Sequence, residues 1–306
     1  MSKILLSVIG PTAIGKTKLA ILLANHFGTE IISADSRQFY EEMKIGTAVP
    51  SKEELSQAKH HFIQHKSIKK DYSVGDFERE GIYTLHTLFK KNDVVIMVGG
   101  SGLYVDSITK GLDSFPSVDA KIRKSLNRIL QNDGIAALQS KLKELDIEYY
   151  EKVDLHNPHR LIRALEICIG TGKPYSSFLN QPRPDRKFKV LSIGLQAERK
   201  ILYDRINQRV DLMISEGLLK EVTELVPFKE YNALQTVGYK ELFKYLDKEI
   251  ELDFAISEIK KNTRRFAKRQ LTWFKKTKDV LWLNYDYEKQ TAIELIEKKI
   301  SSLGNT

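Results

Sequence analysis

The segment Gly10-Pro-Thr-Ala-Ile-Gly-Lys-Thr17 constrains the fold of this chain more than any other stretch. It follows an apolar run rich in β-branched residues, Ile4 to Ile9, and it leads into a pattern typical of a helix from Lys18 to His26. A strand, a glycine loop and a helix in this order form the setting in which G-x-x-x-x-G-K-[ST] binds phosphates. The alternative is an ordinary turn between a strand and a helix.

The chemistry of this loop predicts a ligand with linked phosphates. Glycines permit backbone angles that other residues avoid, and they let backbone N–H groups approach an anion. The start of the helix adds unpaired N–H donors and a partial positive charge. Lys16 can reach a terminal phosphate, and the hydroxyl of Thr17 can bind a magnesium ion.

Length and composition set the broad class of protein. The 306 residues suffice for one large domain or two modest ones, and 42% hydrophobic with 29% charged residues is ordinary for a globular protein. The net charge of +9 favours a polyanionic partner. The single cysteine, Cys168, excludes intrachain disulfides, and the N-terminal apolar run is too short to span a bilayer. We therefore expect a cytoplasmic protein with no membrane segment, and a monomer by default.

Buried-strand patterns recur along the chain and alternate with helical ones. Continuous apolar runs of this kind are typical of a parallel sheet that is covered on both faces. They predict an α/β fold with a P-loop NTPase-like core, a doubly wound parallel sheet and a helical insertion. The core is expected at residues 1–112 and 188–306, and the insertion at 113–187, which ends in a turn-rich return at 181–186. The strand candidates are Ile4–Ile9, Glu30–Ala34, Val94–Val98, Val190–Leu195 and Leu281–Tyr285.

Two strand ends carry candidate ligand-binding residues. Asp35 follows the second strand, where a carboxylate at the carboxyl end of a parallel strand points to the ligand crevice. It could bind magnesium, accept a proton from a substrate amine, or cap a following helix. The run Gly99-Gly-Ser-Gly102 follows the next strand and predicts close approach of the backbone to a ligand, or a tight connection. Many nucleotide hydrolases have an aspartate there, so its replacement by glycine weakens that assignment.

Positive charge is concentrated in three predicted helices. A helix capped by Asn157, and expected to end near Gly170, has a buried stripe of Leu161, Ile162, Leu165 and Ile169. His159, Arg160 and Arg163 lie off that stripe. These side chains could contact nucleic-acid phosphates or form a solvated face.

The other two helices lie in the C-terminal third. One, near Glu198 to Ser215, carries Arg205 and Arg209, which could close over phosphates or form surface ion pairs. The stretch Lys260–Lys278 contains nine Lys or Arg and no acidic residue. Because like charges along one helix face repel, we expect a polyanion to bind there, with a merely solvated face as the alternative.

Together these stretches resemble one family, the tRNA dimethylallyltransferases. The likeness covers essentially the whole chain, in order, and its joint specificity exceeds that of the glycine loop alone. Three replacements distinguish this chain from the usual motifs: Ile14 stands where a small residue is common, Ser101 where threonine is common, and His159 where glutamine is common. The motifs are Gly10–Thr17, Ser33–Tyr40 with its continuation Met43–Ala48, Gly99–Tyr104, Asn157–Glu166, Arg209–Met213, Gly238–Leu242 and Thr263–Phe274.

The resemblance implies transfer of a dimethylallyl group from dimethylallyl diphosphate to the exocyclic N6 amine of adenine 37 of tRNA, with Mg²⁺ as cofactor. It implies that Asp35 accepts the proton of the amine, with Thr12 and Ser101 placed near the reacting atoms. The implied diphosphate ligands are Gly10, Pro11, Thr12, Ala13, Ile14, Gly15, Lys16, Thr17 and Arg209, with Thr17 on the metal. The implied tRNA contacts are Asp35, Ser36, Arg37, Gln38, Tyr40, Ser101, Arg123, His159, Arg160, Leu161, Ile162, Arg163, Arg264, Arg265, Lys268 and Arg269.

Four other functions share parts of this pattern. A small-molecule or nucleotide kinase has no use for the basic face at Lys260–Lys278, and an RNA-binding ATPase leaves the glycine after the third strand unexplained. An isopentenyltransferase acting on free adenylate shares the chemistry but does not need the basic helix. A non-catalytic RNA-binding module leaves the phosphate loop unexplained.

Overall fold

The computed structural model describes residues 3–181 and 185–304 and divides the chain into two compact units. The first unit comprises Met1–Lys110 with Arg186–Thr306, and the second comprises Gly111–Asp185. Residues 182–184 of the predicted turn-rich return lie outside the described residues.

A six-stranded sheet is the centre of the first unit. Its order is β3-β2-β4-β1-β5-β6, and every neighbouring pair is parallel. Parallel neighbours must be joined by crossover connections, which place helices on both faces of the sheet. The predicted α/β class with a doubly wound parallel sheet is therefore confirmed. The strands are β1 Ile4–Ile9, β2 Ile31–Ser33, β3 His60–His61, β4 Val94–Gly99, β5 Lys189–Gln196 and β6 Leu281–Asn284.

The side chains of β1 show how the sheet is covered. Ile4, Leu6 and Val8 point to one apolar cluster, whereas Leu5 and Ile9 point to another on the opposite face. All five are at most 4% exposed, and burying one such side chain contributes roughly 1.5–3 kcal/mol. Because side chains alternate along a strand, the apolar positions of β1 fill both clusters at once, and Ser7 is the one polar side chain in this strand and is also buried.

Helices of the first unit cover the sheet and extend beyond it. Helix α1 packs on the face that Leu6 and Val8 share, and the third cluster lies among the C-terminal helices. The helices are α1 Lys16–Phe27, α2 Lys52–Gln57, α3 Val74–Phe89, α4 Gly102–Thr109, α9 Arg199–Ser215, α10 Leu218–Glu224, α11 Tyr239–Leu246, α12 Leu252–Phe274 and α13 Lys289–Gly304. Short 3₁₀ turns occur at Val226–Phe228 and Asn232–Leu234.

The second unit is helical and has its own apolar core. Its helices are α5 Ala120–Asp133, α6 Ile135–Leu145, α7 Ile147–Tyr150 and α8 Pro158–Thr171, with a 3₁₀ turn at Tyr175–Phe178. Asn157 caps α8 as predicted, because its side chain accepts a hydrogen bond from the N–H of Arg160. The expected end of α8 near Gly170 is wrong by two residues: Gly172 adopts the left-handed conformation that closes the helix. Among the described residues, we find no helix with the length and apolarity that a membrane crossing requires.

Candidate active site

The loop between β1 and α1 has the backbone geometry of a phosphate site. Gly15, at φ 105°, turns the chain into the N-terminus of α1, and Ala13 also has a positive φ of 64°. The Nζ of Lys16 donates to the carbonyl of Pro11 at 2.8 Å, so the ammonium group lies over the loop. Burial lowers the pKa of Lys16 to about 8, Arg209 acts in the same direction, and Asp35 opposes both.

A buried glutamine joins this loop to the end of β4. Gln270, on α12, is 5% exposed; its Oε1 accepts from the N–H of Thr12 at 2.8 Å, and its Nε2 donates to the carbonyl of Gly100 at 2.8 Å. A Cβ at Gly100 would lie 2.4 Å from that Nε2. Gln270 was not among the predicted site residues, although a polar residue in register with the buried Ala267 and Phe274 is a detectable signal.

The opposite side of the site is formed by the segment after β2. Asp35 accepts a hydrogen bond from the N–H of Arg37 at 3.3 Å within a turn, and no helix begins there, so Asp35 is not a helix cap. Ser101 accepts from the N–H of Ser36 at 3.1 Å, and the two serine hydroxyls lie 3.1 Å apart. These contacts place the predicted Ser101 hydroxyl next to the Asp35 turn.

One cavity of about 930 Å³ contains the predicted catalytic residues. It is lined by polar groups from the phosphate loop, the Asp35 turn, the β4 end, α9 and α12. Since these segments are distant in sequence, only the fold brings them together. The predicted site residues in its lining are Thr12, Asp35, Ser36, Arg37, Ser101, Arg209 and Arg269.

Two arginines of α9 have different positions. The Nε of Arg205 donates to the carbonyl of Ala13 at 2.8 Å, so this side chain holds the phosphate loop. Arg209, one turn further along, lines the cavity. Burial lowers the pKa of Arg209, and the Asp35 carboxylate, which lines the same cavity, opposes that shift.

Two predicted base contacts lie in the wall and not in the cavity lining. Gln38 donates from Nε2 to the carbonyls of Thr47 at 3.2 Å and Ala48 at 2.9 Å. Tyr40 is 7% exposed and packs in the third apolar cluster, beside Tyr239. Both side chains shape the neighbouring wall, and their assignment as tRNA contacts stays a prediction.

A carboxylate that was not predicted from the sequence fixes this wall. Glu221, on α10, accepts hydrogen bonds from the N–H groups of Lys44, Ile45 and Gly46 at 2.7 to 3.0 Å. The hydroxyl of Tyr239 donates to the same carboxylate at 2.7 Å. A Cβ on Gly46 would lie 2.6 Å from the Tyr239 ring, which explains the glycine in this motif.

The predicted tRNA contacts in the second unit fall into three groups. His159 and Arg160 are exposed at the start of α8. Arg123 and Arg163 both donate to Glu166, at 2.9 Å and 3.1 Å. Leu161 and Ile162 are 0% and 3% exposed in the core of this unit, and their assignment as tRNA contacts stays a prediction.

The basic helix α12 presents most of its predicted contacts at the surface. Arg265, Lys268 and Arg269 are exposed, and the Arg269 guanidinium lies 5.7 Å from the centre of the Phe266 ring. Arg264 is half-buried and donates to the side chain of Asn207 at 2.7 Å. A helix with this charge and these aromatic side chains can bind a polyanion with unstacked bases.

The donor set of the site fits a hard divalent cation. Thr17 offers a hydroxyl at the N-terminus of α1, and Mg²⁺ is commonly held by few protein oxygens together with phosphate oxygens and water. Within residues 3–181 and 185–304, no group of three or more His, Cys, Asp or Glu side chains has the geometry of a metal site built from protein alone.

Comparison with known proteins agrees with this geometry. The family model described as IPP transferase matches residues 38–277. The tRNA dimethylallyltransferases of Christiangramia forsetii and Flavobacterium psychrophilum are 62% and 57% identical, over 99% and 97% of this chain and 100% and 98% of their own.

Solved structures give the same assignment. The tRNA isopentenylpyrophosphate transferase of Bacillus halodurans is 36% identical, with a TM-score of 0.72 over 99% of this chain and 96% of that one. A eukaryotic dimethylallyltransferase acting on tRNA is 27% identical, with a TM-score of 0.84 over 98% and 80%. The resemblance carried by the motifs is confirmed, and the chain belongs to the IPP transferase family.

Proposed function

We propose that this enzyme transfers the dimethylallyl group of dimethylallyl diphosphate to the N6 amine of adenine 37, next to the anticodon of tRNA, and releases diphosphate. The observation that carries the proposal is the shared cavity: Thr12 of the phosphate loop, Arg209 and the Asp35 carboxylate line one space. A cationic site for a leaving anion and a base for an amine proton are the two requirements of this reaction.

The phosphate loop serves the leaving group. As the allylic C–O bond breaks, negative charge builds on the departing diphosphate, and Lys16, Arg209 and the N–H groups at the start of α1 stabilise it. Thr17 would hold Mg²⁺, which supplies further positive charge to the diphosphate oxygens when it is bound. The position of Arg209 in the cavity lining supports its assignment over Arg205, whose Nε is bonded to Ala13.

The Asp35 side of the cavity serves the nucleophile. The exocyclic amine of adenine is a weak nucleophile because its lone pair is delocalised into the ring. As the C–N bond forms, the amine nitrogen loses a proton, and Asp35 accepts it. Thr12 and Ser101 place hydroxyl groups near the reacting atoms, and the bonds between Ser101 and Ser36 support that position.

The adenine must leave its stack to reach this space, as enzymes that modify bases generally require. We propose that α12 follows the tRNA backbone through Arg264, Arg265, Lys268 and Arg269, and that Arg37 helps to hold the extruded base. In the second unit we propose that His159 and Arg160 contact the anticodon arm, with Arg123 and Arg163 beside them on Glu166. We propose that the protein acts in the cytoplasm and that it is a monomer. Light scattering tests the oligomeric state.

One assay separates this function from its rivals. Labelled dimethylallyl diphosphate is offered with unmodified tRNA, with AMP, or with ATP plus small acceptors, and label is expected only in tRNA. Asp35→Ala should abolish transfer, whereas Asp286→Ala, at an exposed carboxylate, should not. Label in AMP would favour an adenylate isopentenyltransferase, ATP turnover without tRNA would favour an ATPase or kinase, and activity of Asp35→Ala would refute the assigned base.

A further inference from the structure

Gln270 is the one side chain of α12 with hydrogen bonds to both the phosphate loop and the β4 end, among the contacts of the described residues. It is 5% exposed, and its two amide atoms have opposite roles: Oε1 accepts from Thr12 and Nε2 donates to Gly100. A buried amide with both ends satisfied at 2.8 Å fixes the separation of the two groups that it joins.

The two joined segments face different substrates. Thr12 belongs to the loop that receives the diphosphate, and Gly100 directly precedes Ser101, which contacts the Asp35 turn on the amine side. Transfer requires the allylic carbon and the amine nitrogen to approach within a narrow range of distance and angle. A bridge between the two segments therefore sets the separation on which that approach depends, and Gln270 itself also lines the cavity.

We infer that Gln270 is a positioning residue for the prenyl transfer, holding the phosphate loop and the Ser101 turn at their reactive separation. This inference rests on the proposed function. The Gln270 side chain is buried between the two segments, whereas Lys268 and Arg269, on the same helix, are exposed and could contact tRNA. The helix that we propose to bind tRNA thus also sets the geometry of the reaction site.

The packing around Gly100 supplies independent support. A Cβ there would lie 2.4 Å from the Gln270 amide nitrogen and 3.5 Å from the Lys16 ammonium nitrogen. Contacts under 3.0 Å force a neighbour to move, so Gly100→Ala must displace the bridging amide while leaving Gln270 in the chain. It should therefore reproduce the kinetic defect of a Gln270 variant.

The first test separates turnover from binding. Gln270→Met keeps the length of the side chain and removes both hydrogen bonds, so kcat should fall about 100-fold, the effect of a misplacement near 1 Å. The KM values for dimethylallyl diphosphate and for tRNA should stay within about threefold, because the groups proposed to bind each substrate are unchanged. Gln290→Met, at an exposed position of α13, is the matched control and should leave kcat unchanged.

The second test uses pH to restore the bridge. In Gln270→Glu the ionised carboxylate still accepts from Thr12 but presents a lone pair to the carbonyl of Gly100. Protonation turns that oxygen into a donor and restores the second bond. The ratio of the kcat of Gln270→Glu to that of the wild type should therefore rise as the pH falls from about 8.5 to 5.5, whereas the ratio for Gln270→Met stays flat.

The outcomes distinguish the inference from the proposed function. An active wild type with kcat of Gln270→Met within threefold of its own overturns the inference alone. A flat pH ratio for Gln270→Glu, or a Gly100→Ala enzyme with normal kcat, also overturns it. A wild type that transfers no label to tRNA overturns the proposed function and this inference with it. Far-UV circular dichroism at the assay temperature shows that each variant is folded.

Discussion

Glu221→Gln tests how the wall of the cavity is held. The carboxylate accepts four hydrogen bonds, two at each oxygen: Lys44 and Ile45 donate to Oε2, and Gly46 and the Tyr239 hydroxyl donate to Oε1. A glutamine can replace one oxygen only, so two bonds are lost and two donors face its NH₂ group. Each bond to a charged acceptor contributes about 1.5–3 kcal/mol, and two would contribute about 3–6 kcal/mol.

Partial exposure reduces this cost, because water can satisfy some of the freed N–H groups. Glu221 is half-buried, and we therefore expect the free energy of unfolding to fall by about 3 kcal/mol. At about 2 °C per kcal/mol for a chain of this length, Tm should fall by about 6 °C. Tyr239→Phe removes only one of the four bonds and should cost about 1 kcal/mol.

The same change should affect catalysis, because Gly46, Thr47 and Ala48 line the cavity. We expect kcat/KM for tRNA to fall at least about tenfold at a temperature where the variant is folded, the loss that corresponds to about 1.4 kcal/mol. Gly46→Ala disturbs the same segment through the Tyr239 ring, so the two changes together should cost less than their sum.

The assays are denaturant unfolding, a thermal melt, and prenyl transfer at varied tRNA concentration. Glu224→Gln, at an exposed glutamate on the same helix, is the matched control and should stay within about 0.5 kcal/mol of the wild type. The reasoning is refuted if Glu221→Gln also stays within about 0.5 kcal/mol and keeps its kcat/KM.

Three further predictions concern charge. Because the pKa of Lys16 is lowered to about 8, kcat/KM for the prenyl diphosphate should decline above pH 8, and the pH profile of Lys16→Arg should lack that decline, though with a lower maximum. Burial, and secondarily Lys66, lower the pKa of His65 to about 4. Between about pH 6.5 and 4 the unfolded chain therefore takes up a proton that the folded chain excludes, and stability falls as the pH falls. Urea unfolding at pH 7.5 and 4.5 should show that this loss of stability is about 2 kcal/mol larger in the wild type than in His65→Leu. Glu166→Gln should lower the free energy of unfolding by about 2 kcal/mol, because the buried Glu166 carboxylate pairs with the half-exposed Arg123 and Arg163. In thermal melts, Glu148→Gln, which removes an exposed ion pair with Lys152, is the control and should change Tm little.

Sequence patterns predicted the interior of the sheet well and its edge poorly. The bounds of β1 match the prediction, because a strand buried on both faces gives a nearly continuous apolar run, interrupted here only by Ser7. The edge strand β3, His60–His61, was missed, since two polar residues at an edge leave no apolar run. Ile169 was expected on the buried stripe of α8, yet it is 44% exposed, so helical spacing alone placed the stripe too wide.

The site was predictable where its residues adjoin a strand end and unpredictable where they come from elsewhere. Asp35 and Ser101 follow β2 and β4 and reach the cavity through chain connectivity. Gln270 meets Thr12 across 258 positions, and Glu221 meets Gly46 across 175, so neither contact has a local signature. Gln38 is different, because it lies in a motif next to the Asp35 turn and was predicted as a tRNA contact. Its side-chain amide instead donates hydrogen bonds to backbone carbonyls of the cavity wall.

Two glycines at the end of β4, Gly99 and Gly100, connect the missing aspartate to this long-range packing. At Gly99 a Cβ would lie 2.6 Å from the carbonyl oxygen of Ala34, and at Gly100 it would lie 2.4 Å from the Gln270 amide. An aspartate at either position would collide with these groups, so the space where nucleotide hydrolases place a metal-binding carboxylate is here filled by the bridge from α12. Diphosphate departs from carbon in the proposed reaction, and no phosphorus–oxygen bond is cleaved. The position is thus free to couple the basic helix α12 to the phosphate loop. The absent carboxylate and the buried glutamine are two aspects of one structural feature.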